Sequence, residues 1–232
     1  MTTLIHNKTL LTVILIGLLS GCDSNTKPAP TASQATAAAD LSLNQWFDAR
    51  YEEELQFSPI QLSFLGRKER NHELGSFSYA AFTEELAWKK QTVEELRRLY
   101  DYDSLTPAEQ ISYDIWIYQY EQAAASAEYF YNGLSFDQMS GIQSFIPTFL
   151  INFHRVEDES DLRAYIARIK DVAPRMEEML ETAQKSADAG VVSPGFALDG
   201  VIDQASAIID GRPFTETTAK DSDLWADFQQ EA

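Results

Sequence analysis

Three features of the sequence predict an all-α fold. Apolar residues recur every three or four positions in almost every segment beyond residue 40, and no segment alternates as a half-buried strand does. Segments open on Ser or Thr, some with Gln or Glu three residues further on, and several close on Gly. A chain of 232 residues that is 44% hydrophobic and 12% aromatic can bury a sizeable core as one domain or slightly more. The expected architecture is a multi-helix array of long amphipathic helices over 41–232, preceded by a signal peptide over 1–21 and a disordered tether over 22–40.

Residues 10–19 are almost uninterrupted apolar and are followed by Leu19-Ser20-Gly21-Cys22. That is the core of a signal peptide, too short for a stable membrane span. Small residues before a cysteine resemble the bacterial lipobox, which implies a diacylglycerol on the Cys22 sulfur and cleavage that leaves Cys22 as the new N-terminus. The alternative is an ordinary signal peptide with a chance cysteine. Several acyl chains on one residue exceed the single-chain threshold for lasting attachment, so the exported protein is expected to be anchored to the cell membrane through Cys22, not to span it. Asp23 resembles an inner-membrane retention signal of enteric bacteria. Residues 24–40 are Ser, Thr, Pro, Ala and Gln with almost no large apolar side chain, which suits a tether. Ser24 and Lys27 have a Ser-x-x-Lys spacing, but a disordered segment cannot hold a nucleophile and base in register.

The folded region starts near Leu41. Ser42 and Gln45 form a capping box, and Leu43, Trp46, Phe47, Tyr51 and Leu55 repeat at helical spacing. Ser58-Pro59 caps a second, short helix closed by Gly66. A polar connection over 67–75 leads to a long helix from Ser78, with Phe82, Leu86, Val93, Leu96 and Tyr100 on one stripe and Glu85–Lys89 and Glu94–Arg98 as expected i,i+4 pairs. Thr106-Pro107-Ala108-Glu109 is the clearest helix start, and that helix is expected to reach about Tyr131. Its aromatic residues, Tyr113, Trp116, Tyr118, Tyr120, Tyr129, Phe130 and Tyr131, point to burial on several sides in preference to a carbohydrate platform.

The stretch 136–156, FDQMSGIQSFIPTFLINFHRV, is the most apolar run after the N-terminus. Gly141 and Pro147 are expected to interrupt it, and its polar members, Gln138, Ser140, Gln143, Asn152 and His154, are dispersed among Phe, Ile and Leu. Buried polar groups need partners, so it is either a satisfied core or a cavity wall; a cavity wall is expected. Ser160 is expected to open a further helix through Leu162, Tyr165, Ile169, Val172, Met176 and Met179, kinked near Pro174 and stopped at Gly190. Helices through Leu198–Ile209 and from Ser222 to the end complete the set. The last stripe, with Leu224, Trp225 and Phe228, stops without a C-cap signal, which suggests either a truncated protein or a frayed terminal helix docked on the core.

Charge and cysteine content exclude several functions. The net charge of -18 becomes -19 without residues 1–21, which carry only Lys8, so phosphate backbones and anionic lipids are repelled and nucleic acid is not an expected partner. One cysteine permits neither an intramolecular disulfide nor a Cys-based zinc site. A zinc-peptidase helix needs His-Glu-x-x-His; His72-Glu73-Leu74-Gly75-Ser76 fails at Ser76, and His154-Arg155-Val156-Glu157-Asp158 fails the inverted form at Asp158.

Several short matches in order nevertheless resemble one family: Trp46-Phe47-Asp48, Ser58-Pro59, Leu65-Gly66, Gln138-Met139-Ser140-Gly141, Leu150-Ile151-Asn152-Phe153-His154, Tyr165-Ile166-Ala167-Arg168 and Gly211-Arg212-Pro213-Phe214. Together, from Leu41 to Ala232, they look like the bacterial family filed as domain of unknown function 885. The resemblance implies a helical zinc metallopeptidase-like lipoprotein with a zincin-like architecture, whose metal motif lies in a C-terminal half. This chain ends before it, so no zinc ligand or catalytic residue is carried over, and no cofactor is expected here. The expected function is the non-catalytic N-terminal part of an exported, membrane-anchored peptidase-like protein acting on peptides; the alternative is a helical binding or scaffold lipoprotein. The candidate substrate-binding residues are His154, Arg155, Asn152, Gln138 and Gln143, lining a channel that takes a peptide backbone or terminal carboxylate. The competing reading of His154 is a core ring bonded to a backbone carbonyl.

Overall fold

The computed structural model describes residues 41–215 and 220–231, and these form helices: α1 (Leu43–Leu55), α2 (Pro59–Phe64), α3 (Tyr79–Leu99), α4 (Pro107–Ser126), α5 (Ile142–Phe153), α6 (Glu159–Asp188), α7 (Gly195–Ile208) and α8 (Asp223–Glu231). Short 3₁₀ turns cover Tyr102–Ser104 and Ala127–Asn132. No β-strand occurs among the described residues, where one isolated bridge joins Arg212 and Asp221. The protein is all-α. The signal peptide, Cys22 and the tether lie outside the described residues.

Local chemistry sets the helix starts. Ser42 with Gln45 and Thr106 with Glu109 form complete capping boxes, and Ser58 and Ser78 accept from the amides of Gln61 and Ala81. α6 starts earlier than Ser160 suggests: Asp158 is its N-cap, accepting from the amides of Ser160 and Asp161, and a carboxylate there also suits the helix dipole. α4 ends at Ser126, and the expected last turn to Tyr131 tightens into the 3₁₀ segment.

The apolar side chains gather in two cores. One joins α1, α3 and α4 through Leu43, Trp46, Val93, Leu96, Tyr113 and Trp116. Trp46 and Trp116 meet edge to face at 5.6 Å, and Trp116 Nε1 donates to the buried Thr92 Oγ1 at 3.0 Å, so the indole polar ends are not orphaned. Tyr118 and Tyr129 are exposed, so the expected all-round burial of α4 holds only for part of its aromatics. Lys89 pairs with Glu54 on α1 at 2.6 Å, tying α3 to α1 in place of the expected pair with Glu85, and Glu94 faces Lys90 at 3.9 Å and not Arg98.

The second core joins α2, α5 and α6 through Ile60, Ile142, Ile146, Phe149, Leu150 and Tyr165, with Leu224 and Phe228 of α8 packed against it. Here the stretch 136–156 departs from expectation. Gly141 does break the chain: it is the extended N-cap residue before α5, and a Cβ there would collide with Gln143 Oε1 and the Asp137 carbonyl. Pro147, however, sits inside α5, which runs through it at the loss of the single bond its amide would have made to Gln143. Ile142, Ile146, Phe149 and Leu150 fill the core, so the middle of the stretch is core and not a cavity wall, while Met139, Phe145 and Phe153 stay exposed.

Candidate functional site

α6 presents two faces. Tyr165, Val172, Met176 and Met179 pack into the second core. Asp161, Arg168, Asp171, Arg175 and Glu178, spaced seven, three, four and three apart, form a polar stripe. Residues 67–77 lie along that stripe as a strap. Lys68 Nζ donates to Asp161 Oδ2 at 2.6 Å and to Glu157 Oε2 at 2.7 Å. The Leu74 amide donates to Asp171 Oδ2 at 3.1 Å, Arg175 Nη1 to the Gly75 carbonyl at 3.2 Å, and the Phe77 amide to Glu178 Oε2 at 2.9 Å. Gly75 is required where the strap crosses Pro59: its φ is +81°, and a Cβ would meet Pro59 Cδ at 2.9 Å.

Arg168 is the centre of this arrangement, with 0% exposure. All five guanidinium protons have acceptors. Nε donates to the Glu73 carbonyl at 2.9 Å, Nη1 to Asn71 Oδ1 at 3.0 Å and to His154 Nδ1 at 2.9 Å, and Nη2 to Ser63 Oγ at 2.7 Å and the Pro59 carbonyl at 3.3 Å. The guanidinium also lies over the Phe149 ring at 5.0 Å. None of its acceptors is a carboxylate. Burial lowers its pKa to about 10, and the nearby Glu73 carboxylate acts in the opposite direction, so Arg168 stays charged at neutral pH.

A guanidinium can only donate, so His154 Nδ1 must accept, and Nε2 therefore carries the proton and donates to the Asp161 carbonyl at 3.1 Å. The ring is buried and packs edge-on against Tyr165 at 5.2 Å. Burial lowers its pKa, an effect only partly opposed by the bond to the Asp161 carbonyl, and the Arg168 charge lowers it further. Burial alone would raise the Asp161 carboxyl, but the bonds from Lys68 and the Glu157 amide outweigh it and hold it below the usual range.

The structure separates the five candidate substrate-binding residues into two groups about 13 Å apart along α5. At its N-terminal end, Gln143 is buried and its Nε2 donates to the Asp137 carbonyl at 2.7 Å and to Gln204 Oε1 at 2.8 Å, while Gln204 Nε2 returns to the Gln138 carbonyl at 2.9 Å. Gln138 and Gln143 thus bind α7 to α5. At the other end, His154 is the buried ring just described, Asn152 is exposed and donates to the Thr148 carbonyl of its own helix at 2.8 Å, and Arg155 is exposed. They do not converge on one cavity.

A cleft of about 580 Å³ opens beside the strap instead, lined by Arg70, His72, Glu73, Gly75, Ser76, Ala167, Lys170, Asp171 and Arg175. None of these comes from 136–156. Sequence reasoning missed it because the strap has no periodicity, although the second, polar stripe on α6 was there to be found.

The family profile described as "Bacterial protein of unknown function (DUF885)" matches residues 59–232. The chain belongs to the DUF885 family. No curated protein and no solved structure gives a match. Within this DUF885 chain, α2, the strap, α5, α6, α7 and α8 all lie in the matched part. Among the described residues no group of three or more His, Cys, Asp or Glu side chains is placed to hold a metal ion. His154 uses both ring nitrogens inside the protein, and His72 stands 3.3 Å from Glu73 without a second imidazole beside it. No helix of the described residues is long and apolar enough to cross a membrane.

Proposed function

We propose that this chain is the non-catalytic helical part of an exported, lipid-anchored, metallopeptidase-like protein, supporting peptide handling without supplying metal ligands. The observation that carries the reading is the engagement of His154: its two nitrogens tie the end of α5 to the Arg168 side chain and the Asp161 carbonyl of α6, which is the work of a structural group. The leader and the Leu19-Ser20-Gly21-Cys22 sequence support export and lipid attachment. The peptidase-like character rests on the resemblance set out above. Reading the gene beyond the Ala232 codon tests it: a His-Glu-x-x-His helix there supports the reading, and a stop codon favours a binding or scaffold lipoprotein.

Anchoring has its own test. Cys22→Ser removes the only sulfur nucleophile at the processing site, so the variant should leave the detergent phase and appear in the aqueous phase. Unchanged detergent partitioning sinks the lipid-anchor assignment.

A further inference from the structure

We infer that the cleft beside the strap is a binding site for the carboxylate end of a small ligand, held between Lys170 and His72. Three cations, Arg70, Lys170 and Arg175, line it against two carboxylates, Glu73 and Asp171, in a chain whose net charge is -18. The two arginines are turned inward. Arg70 is paired with Glu73 and bonded to the Gln56 carbonyl, and Arg175 is held by Glu178 at 2.9 Å, Asp171 at 3.4 Å and the Gly75 carbonyl. The Lys170 ammonium, by contrast, has no ion pair or hydrogen bond among the described residues. His72 is exposed, and its one polar partner among the described residues is Glu73. The groups left to meet a ligand are therefore one cation from α6 and one imidazole from the strap.

Both walls are fixed before any ligand arrives, because the strap is bonded to α6 along its length and Gly75 is locked against Pro59. The volume lies within the range of small-molecule sites, roughly 300 to 1,000 Å³. The one lining cation without a carboxylate partner, Lys170, matches a monoanion. A phosphate dianion would face Glu73 and Asp171 with its second charge uncompensated, and a cation would have to displace Arg70 or Arg175 from existing pairs. The chemistry recognised is a carboxylate, whose source is a peptide C-terminus or a free organic acid. The inference uses neither a metal nor the lipid anchor, so it stands independently of the peptidase-like reading.

The test is calorimetric titration of the full chain in detergent with N-acetyl-dialanine, its C-terminal amide, propionate and inorganic phosphate. The acid should saturate one site and the amide should bind at least about ten-fold more weakly. Lys170→Ala and His72→Gln should each weaken the acid by about five-fold with unchanged circular dichroism, whereas Lys90→Ala on α3, remote from the cleft in sequence, should change nothing. Equal affinity for propionate identifies a free organic acid; tighter binding of N-acetyl-dialanine identifies a peptide end. Equal binding of acid and amide, tighter binding of phosphate, an unaffected Lys170→Ala variant, or no saturation up to about 20 mM overturns the assignment.

Discussion

Protonation of His154 sets an imidazolium against the Arg168 guanidinium, with no carboxylate touching either ring nitrogen. Burial above all, with the Arg168 charge adding to it, holds the folded pKa below the ordinary value of about 6.5, and the unfolded chain binds the extra proton first. The contribution of the neutral ring to stability is complete above about pH 6.5 and declines as the pH falls below it, by at most about 1.4 kcal/mol per unit. Gln can accept from Arg168 and donate to the Asp161 carbonyl without titrating. Urea midpoints at pH 7.5 and pH 5.0 should therefore converge in His154→Gln relative to the parent; an identical loss in both proteins contradicts the assignment. His154→Leu strands one Arg168 proton and one carbonyl, and should cost about 2 to 4 kcal/mol at pH 7.5. The sequence offered two readings of His154, a ligand-facing ring because it ends an apolar run and a core ring bonded to a backbone carbonyl, and the geometry is that of the second. What the sequence did not reveal is the second partner, a guanidinium fourteen residues away, which no local pattern shows.

The strap and the polar stripe of α6 form one structural unit, and its failure should be cooperative. Arg168→Lys keeps the charge but replaces five fixed donors with three, leaving acceptors among Pro59, Ser63, Asn71, Glu73 and His154 unpaired; a loss of about 3 kcal/mol or more is expected by urea denaturation. Gly75→Ala adds a strained φ and a collision with Pro59, so the strap should lift locally at a cost of about 1 to 3 kcal/mol. Trypsin reads this out, since Arg67, Lys68 and Arg70 all lie in the strap: cleavage there should accelerate in Gly75→Ala, and unchanged cutting rates count against a fixed strap. The helices themselves were legible in the sequence. Ser42, Ser58, Ser78 and Thr106 cap where their side chains announce it. The strap was not, because apart from side chains such as those of Lys68 and Asn71 its anchors are the Glu73 and Gly75 carbonyls and the Leu74 and Phe77 amides, which every sequence possesses alike. Pro147 was misleading for the opposite reason: a proline deep in a packed helix forfeits one bond, and the burial of Ile142, Ile146, Phe149 and Leu150 outweighs that loss.

The described residues place one core around Trp46 and Trp116 and another around Phe149 and Tyr165, with the strap, the buried Arg168 and the cleft at the second. The all-α class followed from periodicity and caps, whereas the position of the cleft followed only from the tertiary pairing of the strap with α6. The two histidines among the described residues are committed accordingly, His154 to the interior and His72 to the cleft rim, and neither is placed as a metal ligand. Zinc content decides the matter: the tag-free full chain, equilibrated with a small excess of zinc and desalted, is assayed for metal per chain. Far less than one zinc per chain is expected, unchanged by His154→Gln; one tightly held zinc per chain, lost on substitution of His72 or His154, contradicts these placements.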